Sequence, residues 1–368
     1  MTTPKIVLTL PHCHGNPRNS EGAFLTLDNG QIMFAYSRYR GNNWSDHGKA
    51  DIAARYSSDN GDTWTKRSRI LIPNEGQWNV MSVSLLAMQN GKIALFYLRK
   101  NNLLDCRLWM RTSKNRGMSW SKPTLCTPAP GYFVVNNDRV IELQYGRLLV
   151  PAAYHRVKVQ TSEPPELGLD GRGVTLFYYS DDGGHTWREA LDWIVLPVHS
   201  HSGLQEPGVI ELQNGEIYGW ARTDTGRQWE MRSNNQGDTW SLAAPSRFIS
   251  PCSPLSIKRI PQTGDLLAVW NELSEENKVA KNLNNDPEIL NQTWGRTPLV
   301  LALSSDEGRS WHNKKIIEND NKRGFCYTAI HVLNDSILLA YCCGGRNSVV
   351  LQNSCITKIS LAWLYDHG

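Results

Sequence analysis

The chain has 368 residues, enough to bury a large core, and its 29 glycines, 18 prolines and 14 tryptophans read as many turns and many packed indoles. Its 39 basic and 35 acidic residues leave a formal charge of +4, too balanced to argue for nucleic acid, and no stretch reaches the length of a membrane helix; neither nucleic acid nor a membrane is expected as a partner. Eight cysteines are scattered without a CxxC pair, two of them adjacent at Cys342 and Cys343, and read as free buried thiols.

In chain order, the first segment is MTTPKIVLTLPHCHG, whose apolar run at residues 6–10 is too short for the hydrophobic core of a signal peptide. A cytoplasmic protein is expected, or a secreted one if a leader was trimmed. His12, Cys13 and His14 superficially suggest a metal, but a lone cluster in a terminal segment is a weak signal; neither a metal nor another cofactor is expected.

Two repeats then alternate. The first is an apolar strand, a turn and a second apolar strand, in six copies: five turn at Gly30, Gly91, Gly146, Gly215 and Gly264, and the sixth at Ser336. The second repeat is Ser-x-Asp/Asn-x-Gly-x-Thr/Ser-Trp. It occurs at 57–64 (SSDNGDTW), 113–120 (SKNRGMSW), 180–187 (SDDGGHTW), 233–240 (SNNQGDTW) and 304–311 (SSDEGRSW), once after each of the first five hairpins. Its physics is that of a stapled turn: Asp or Asn caps backbone N–H groups, Gly takes a conformation other residues resist, and Trp packs beneath. The DNGD within the first copy is too short for a calcium loop. The sixth hairpin is followed by VVLQN (349–353) and KISLAWLY (358–365), which read as two closing strands. Six repeats of four strands predict an all-β, six-bladed β-propeller, with residues 1–368 as one domain. The polar stretch 274–292 is expected to be a mobile or partly helical loop.

In a propeller blade the innermost strand starts at one mouth of the central channel. Nine residues before the six turn positions stand Glu21, Ser82, Asn137, Glu206, Leu255 and Tyr327, five of them polar. Seven or eight residues after the turns stand Arg38, Arg99, Tyr154 (with His155 and Arg156), Arg222 and Asn271. A cationic rim around a floor of two carboxylates and a tyrosine is a convergent candidate site, and the stapled turns fall on the opposite face.

These features resemble the sialidase (neuraminidase) superfamily, whose Asp-boxes the five turns match, and the resemblance covers essentially the whole chain. Non-enzymatic propellers also carry Asp-boxes; the remaining segments are more specific. QEPGVIELQNGEIYGWAR resembles the family's glutamate segment and implies that role for Glu206, with Arg222 as a substrate-carboxylate arginine. GRTPLVLALSSDEG implies a second such arginine at Arg296, and FCYTAIHVL implies the tyrosine nucleophile at Tyr327. SDHGKADIAARYSSDNG implies the acid/base aspartate at Asp46, nine residues before Arg55. One segment departs: where the family opens with Arg-Ile-Pro, this chain has RNSEGAF, with Ser20 in the arginine's place and Arg18 or Arg38 left to supply a third cation.

The resemblance implies a retaining exo-glycosidase that removes a terminal sialic acid or a related nonulosonic acid. A carboxylate on the anomeric carbon disfavours an anionic nucleophile and suits a neutral phenol, and sialidases with a tyrosine nucleophile are a known exception to the two-carboxylate rule. Glu206 would take the phenolic proton, Asp46 would serve the leaving oxygen and then water, and arginines would hold the substrate carboxylate. Glu21, Asn137 and Asp138 are further candidates for sugar contacts. Each residue has an ordinary alternative: a core tyrosine, solvated loop carboxylates, strand caps, rim charges. Two other functions stay open: a glycosidase or lyase for another acidic sugar such as a uronate, which the altered first arginine favours, and a non-catalytic carbohydrate-binding propeller, against which the joint presence of Asp46, Glu206 and Tyr327 argues.

Overall fold

The computed structural model describes residues 4–160, 164–273 and 287–366. Its strands form sheets arranged as a propeller. Four sheets are separate and four-stranded, each running outward from an inner strand: Asn19–Thr26, Gln205–Glu211, Ser256–Arg259 and Cys326–Val332. The inner strands close a ring: Asn19–Thr26 touches both Asn79–Ala87 and Cys326–Val332, and Ser256–Arg259 touches both Gln205–Glu211 and Cys326–Val332.

The pairing does not give six separate blades. The hairpins turning at Gly91 and Gly146 share one nine-stranded sheet. The join is a short parallel pairing, Gly131 with Asp105 and Tyr132 with Cys106, which stitches Gly131–Val134 to the outer side of Asp105–Ser113. The closure also differs from expectation. Residues 349–353 form a turn, and after the strand Ser354–Ser360 the chain enters the short helix Leu361–Tyr365, because the Ser360 side chain accepts the N–H of Trp363 as a cap. The fourth strand of the last sheet is instead the N-terminal Lys5–Leu10, antiparallel to Ser354–Ser360. Of the polar stretch 274–292, residues 274–286 lie outside the described residues and Pro287–Thr293 is helical.

The Asp-box geometry is that of the expected staple. In the first copy Ser57 Oγ donates to Asp59 Oδ1 at 2.8 Å and accepts the N–H of Gly61 at 2.9 Å, while Asp59 takes the N–H of Thr63 and Trp64 Nε1 donates to the Gly61 carbonyl at 3.2 Å. The third copy repeats this with Ser180, Asp182, Gly184, Thr186 and Trp187. These turns end the third strands, so they lie a strand's length from the residues that begin them.

The inner strands carry a recurring distortion. Glu21, Ser82, Glu206 and Tyr327 all adopt left-handed backbone conformations, with φ between 47 and 59°, and pairing with the neighbouring strand slips at each of them. A bulge of this kind re-aims one side chain out of the sheet's alternation, at a strain of roughly 1–3 kcal/mol per residue. Four strands thereby point one residue each into the channel mouth.

Candidate active site

The mouth holds a cavity of about 280 Å³ lined by Glu21, Asp46, Glu206, Arg222, Arg296 and Tyr327 among others. Tyr327 and Glu206 meet across the channel: the Tyr327 hydroxyl donates to Glu206 Oε1 at 2.9 Å. Arg222, at the end of the strand Ile217–Arg222, places Nε 3.0 Å from Glu206 Oε2, an ion pair not aligned as a hydrogen bond. Burial and the Glu206 charge keep the Tyr327 proton well above the ordinary tyrosine range, so the phenol is neutral at rest.

Arg296 enters from the turn before the strand Leu299–Ser304. It donates to the Cys252 carbonyl at 3.2 Å and contacts Cys326 Sγ at 3.2 Å, with its guanidinium 4.9 Å from the Trp294 ring and 5.3 Å from that of Tyr327. No carboxylate lies within ion-pairing distance of it among the described residues. Burial works against its charge, but Cys326, Tyr327 and Glu206 outweigh that and hold it protonated. Arg222 likewise donates to the Cys252 carbonyl, at 3.3 Å, so both guanidiniums are drawn to one spot beside the Tyr327–Glu206 pair.

A further part of the wall comes from the first sheet. Arg18 is fully buried and does not line the cavity. It donates to Asp46 Oδ1 at 2.6 Å, to Glu21 Oε1 at 3.0 Å and to Ser20 Oγ at 2.8 Å, and Ser20 in turn donates to Glu21 Oε2 at 2.9 Å. Burial would raise the Asp46 carboxyl, but Arg18, Lys100 and His47 outweigh it and hold it well below the usual carboxylate range. Glu21 is pushed the other way, by burial first, against the pull of Arg18.

The remaining expected residues lie elsewhere. Arg38 lines a different cavity, beside the N-terminal strand. Asn137 donates to the carbonyls of Gly22 at 2.6 Å and Tyr327 at 3.1 Å, tying two inner strands together. Asp138 pairs with Lys258 at 3.0 Å and accepts the N–H of Ile330 at 3.2 Å. Arg99 stacks on Trp109, 3.6 Å from the ring centre. His12 bonds Asn353, and no group of three or more metal-ligating side chains is found among the described residues.

Several cavity residues were not singled out from the sequence, among them Lys100, Trp294 and His47. Lys100, buried, donates to the Asp46 carbonyl at 3.2 Å with its ammonium 5.4 Å from the Tyr132 ring. It adjoins Arg99, and strand alternation alone would have chosen between them once Arg99 was assigned to Trp109. Trp294 is two residues before Arg296 in TWGR. His47, next to Asp46, stands edge-on to Trp78 at 4.4 Å and 3.2 Å from Glu166. Asn136, noted beside Asn137, lines the cavity with its side-chain amide nitrogen buried and unpartnered, an open donor for a hydroxyl.

The BNR repeat-like domain family matches residues 36–339. No curated protein matches the chain. Among solved structures, a protein of unknown function from Dyadobacter fermentans superposes with a TM-score of 0.71 at 16% identity, covering 97% of this chain and 99% of that one. The NanB sialidase of Streptococcus pneumoniae gives 0.68 at 14%, covering 97% of this chain and 70% of that one. A Trypanosoma rangeli sialidase, solved as a covalent intermediate with 2,3-difluorosialic acid, gives 0.68 at 17%, covering 94% of this chain and 55% of that one. At these identities the likeness is one of fold.

Proposed function

This chain belongs to the BNR repeat-like domain family, and from that premise we propose that it is a retaining exo-glycosidase acting on a terminal sialic acid or a related acidic sugar. One observation carries the reading: a neutral buried phenol hydrogen-bonded to a carboxylate at 2.9 Å, in a cavity also lined by two arginines. In the same proposal the nine-stranded sheet is two blades bridged by residues 131–134, giving six blades in one domain.

Tyr327 Oη attacks the anomeric carbon while its proton passes to Glu206 and the bond to the leaving oxygen breaks. Asp46 supplies a proton to that oxygen; as carboxylate it then deprotonates the water that attacks the glycosyl–tyrosine bond, and Glu206 returns the proton to the phenol. Arg222 and Arg296 hold the sugar carboxylate. Asp46 rests as a carboxylate against Arg18, so it must gain a proton when the substrate binds. An anionic sugar alongside raises its carboxyl by like-charge repulsion, which favours that step.

A second reading has specific support. Arg18 is spent on Asp46, Glu21 and Ser20 and does not reach the cavity, so two arginines rather than three line it. This favours an acidic sugar other than sialic acid, such as a uronate, cleaved by hydrolysis or elimination. A panel of fluorogenic glycosides separates the readings: release from an α-sialoside supports the first, release only from uronides supports the second, and cleavage of neutral glycosides alone rejects both.

A further inference from the structure

We propose that the groove between the first sheet and the N-terminal strand is a second anion site, distinct from the central cavity, built to hold a compact oxyanion: a carboxylate, sulfate or phosphate. The groove encloses about 420 Å³ and is lined by three arginines, Arg38, Arg55 and Arg67, and by Tyr36, with no aspartate or glutamate in its lining.

The convergence follows from register. In the first sheet Phe34 pairs with Arg55, Tyr36 with Ala53 and Arg38 with Asp51, which sets Tyr36, Arg38 and Arg55 on one face. Arg67 arrives from the segment before Arg69–Ile72, pinned there by the 2.7 Å hydrogen bond between Ser68 and the Tyr36 hydroxyl. The far wall is the end of the N-terminal strand, Thr9 and Leu10, with Pro11 and Asn16.

The cations are not neutralised. Asp51 is opposite Arg38 in the pairing, but its oxygens serve the Asn74 N–H at 2.8 Å and Arg40 at 3.4 Å. Neither the Arg38 nor the Arg67 side chain has a hydrogen bond or ion pair among the described residues. Arg55 gives one nitrogen to the Thr65 carbonyl, and its Nε is buried without a partner. Scattered rim arginines are commonplace. Three in one groove without a carboxylate repel one another, and an oxyanion relieves that repulsion while meeting the planar donor forks.

The test is isothermal titration of the full chain at fixed ionic strength with sodium sulfate, sodium phosphate and a uronate disaccharide. An Arg222→Ala, Arg296→Ala background removes both arginines of the central cavity. The expected result is binding of at least one probe in that background, weakened tenfold or more by adding Arg38→Ala and Arg67→Ala. An Arg38→Lys, Arg67→Lys pair, which keeps charge but loses the fork, should fall between, and unchanged melting temperatures show that the fold is intact. Tighter binding of the disaccharide than of the inorganic ions assigns the site to an acidic glycan, and the reverse to a free oxyanion. Absence of binding by all three probes at millimolar concentration, or binding indifferent to the arginine substitutions, overturns the proposal.

Discussion

Glu206 is shared between two partners, accepting the Tyr327 hydroxyl on Oε1 at 2.9 Å and facing Arg222 Nε with Oε2 at 3.0 Å. Arg222 fixes Oε2, which leaves Oε1 facing the phenolic proton. Glu206→Gln keeps the shape and removes the proton acceptor, and should lower turnover on the cleaved glycoside by about 10²–10⁴-fold. Steady-state kinetics check this; a change under threefold would remove Glu206 from proton transfer.

If the proposed function holds, Arg222 and Arg296 should separate binding of acidic from neutral sugars. Either residue replaced by Ala should weaken binding of the acidic sugar by about 2–5 kcal/mol, the range for truncating one partner of a hydrogen-bonded charge pair in a desolvated pocket. A neutral analogue should bind almost unchanged. Titration calorimetry with the two ligands reads the difference, and equal losses for both would show that the arginines only stiffen the mouth.

In the proposed mechanism Asp46 is the proton donor, and Glu21 is a second carboxyl lining the same cavity. A donor matters most when the leaving group is poor. Asp46→Asn should therefore slow a poor alkyl leaving group far more than an activated aryl one, while Glu21→Gln should slow both alike. The reverse pattern would transfer the role to Glu21, the carboxyl that burial holds above the usual range.

The stapled turns predict an acid limb. Asp59, Asp182 and Asp306 are each held at about 2, Asp59 and Asp306 chiefly by side-chain bonds from Thr63 and Ser310, and Asp182 by bonds from Thr186 that outweigh burial. Their folded values lie below the ordinary 3.8, so their stabilisation is present above about pH 4 and is lost as pH falls toward 2. The second and fourth boxes have Asn115 and Asn235 in this position, which do not titrate. Replacing the three aspartates by Asn should flatten the fall in melting temperature between pH 4 and 2. An unchanged slope would place the acid sensitivity elsewhere.

Removing residues 1–10 deletes the strand that pairs with Ser354–Ser360 and turns that strand into a bare edge. The truncated chain should melt lower and associate on size-exclusion chromatography; a monomer with the original melting temperature would show that the closure is dispensable.

Much of this was legible because the turn residue anchors the inner strand. Counting back nine residues found Glu21, Ser82, Glu206 and Tyr327, the four that share the left-handed bulge. The count slipped in the third repeat, where Asp138 rather than Asn137 takes that conformation, at φ 56°. Local periodicity cannot report such a one-residue offset. Nor could it report the N-terminal closure, since Lys5 pairs with Lys358 and nothing in either segment names the other. The Arg18–Glu21–Asp46 cluster was hidden for a related reason: each residue was visible, but their mutual engagement depends on the bulge at Glu21.

In the proposed mechanism Tyr327 becomes covalently bonded to the sugar. The direct measurement is peptide mass mapping after incubation with a difluorinated acidic sugar matched to whichever glycoside the protein cleaves, with Tyr327→Phe run in parallel. A sugar-sized mass increment is expected on the peptide carrying Tyr327, localised to that residue, and none in the variant. Rapid turnover of the glycoside with no adduct, or an adduct on Glu206, Asp46 or Glu21, would rule out the tyrosine nucleophile.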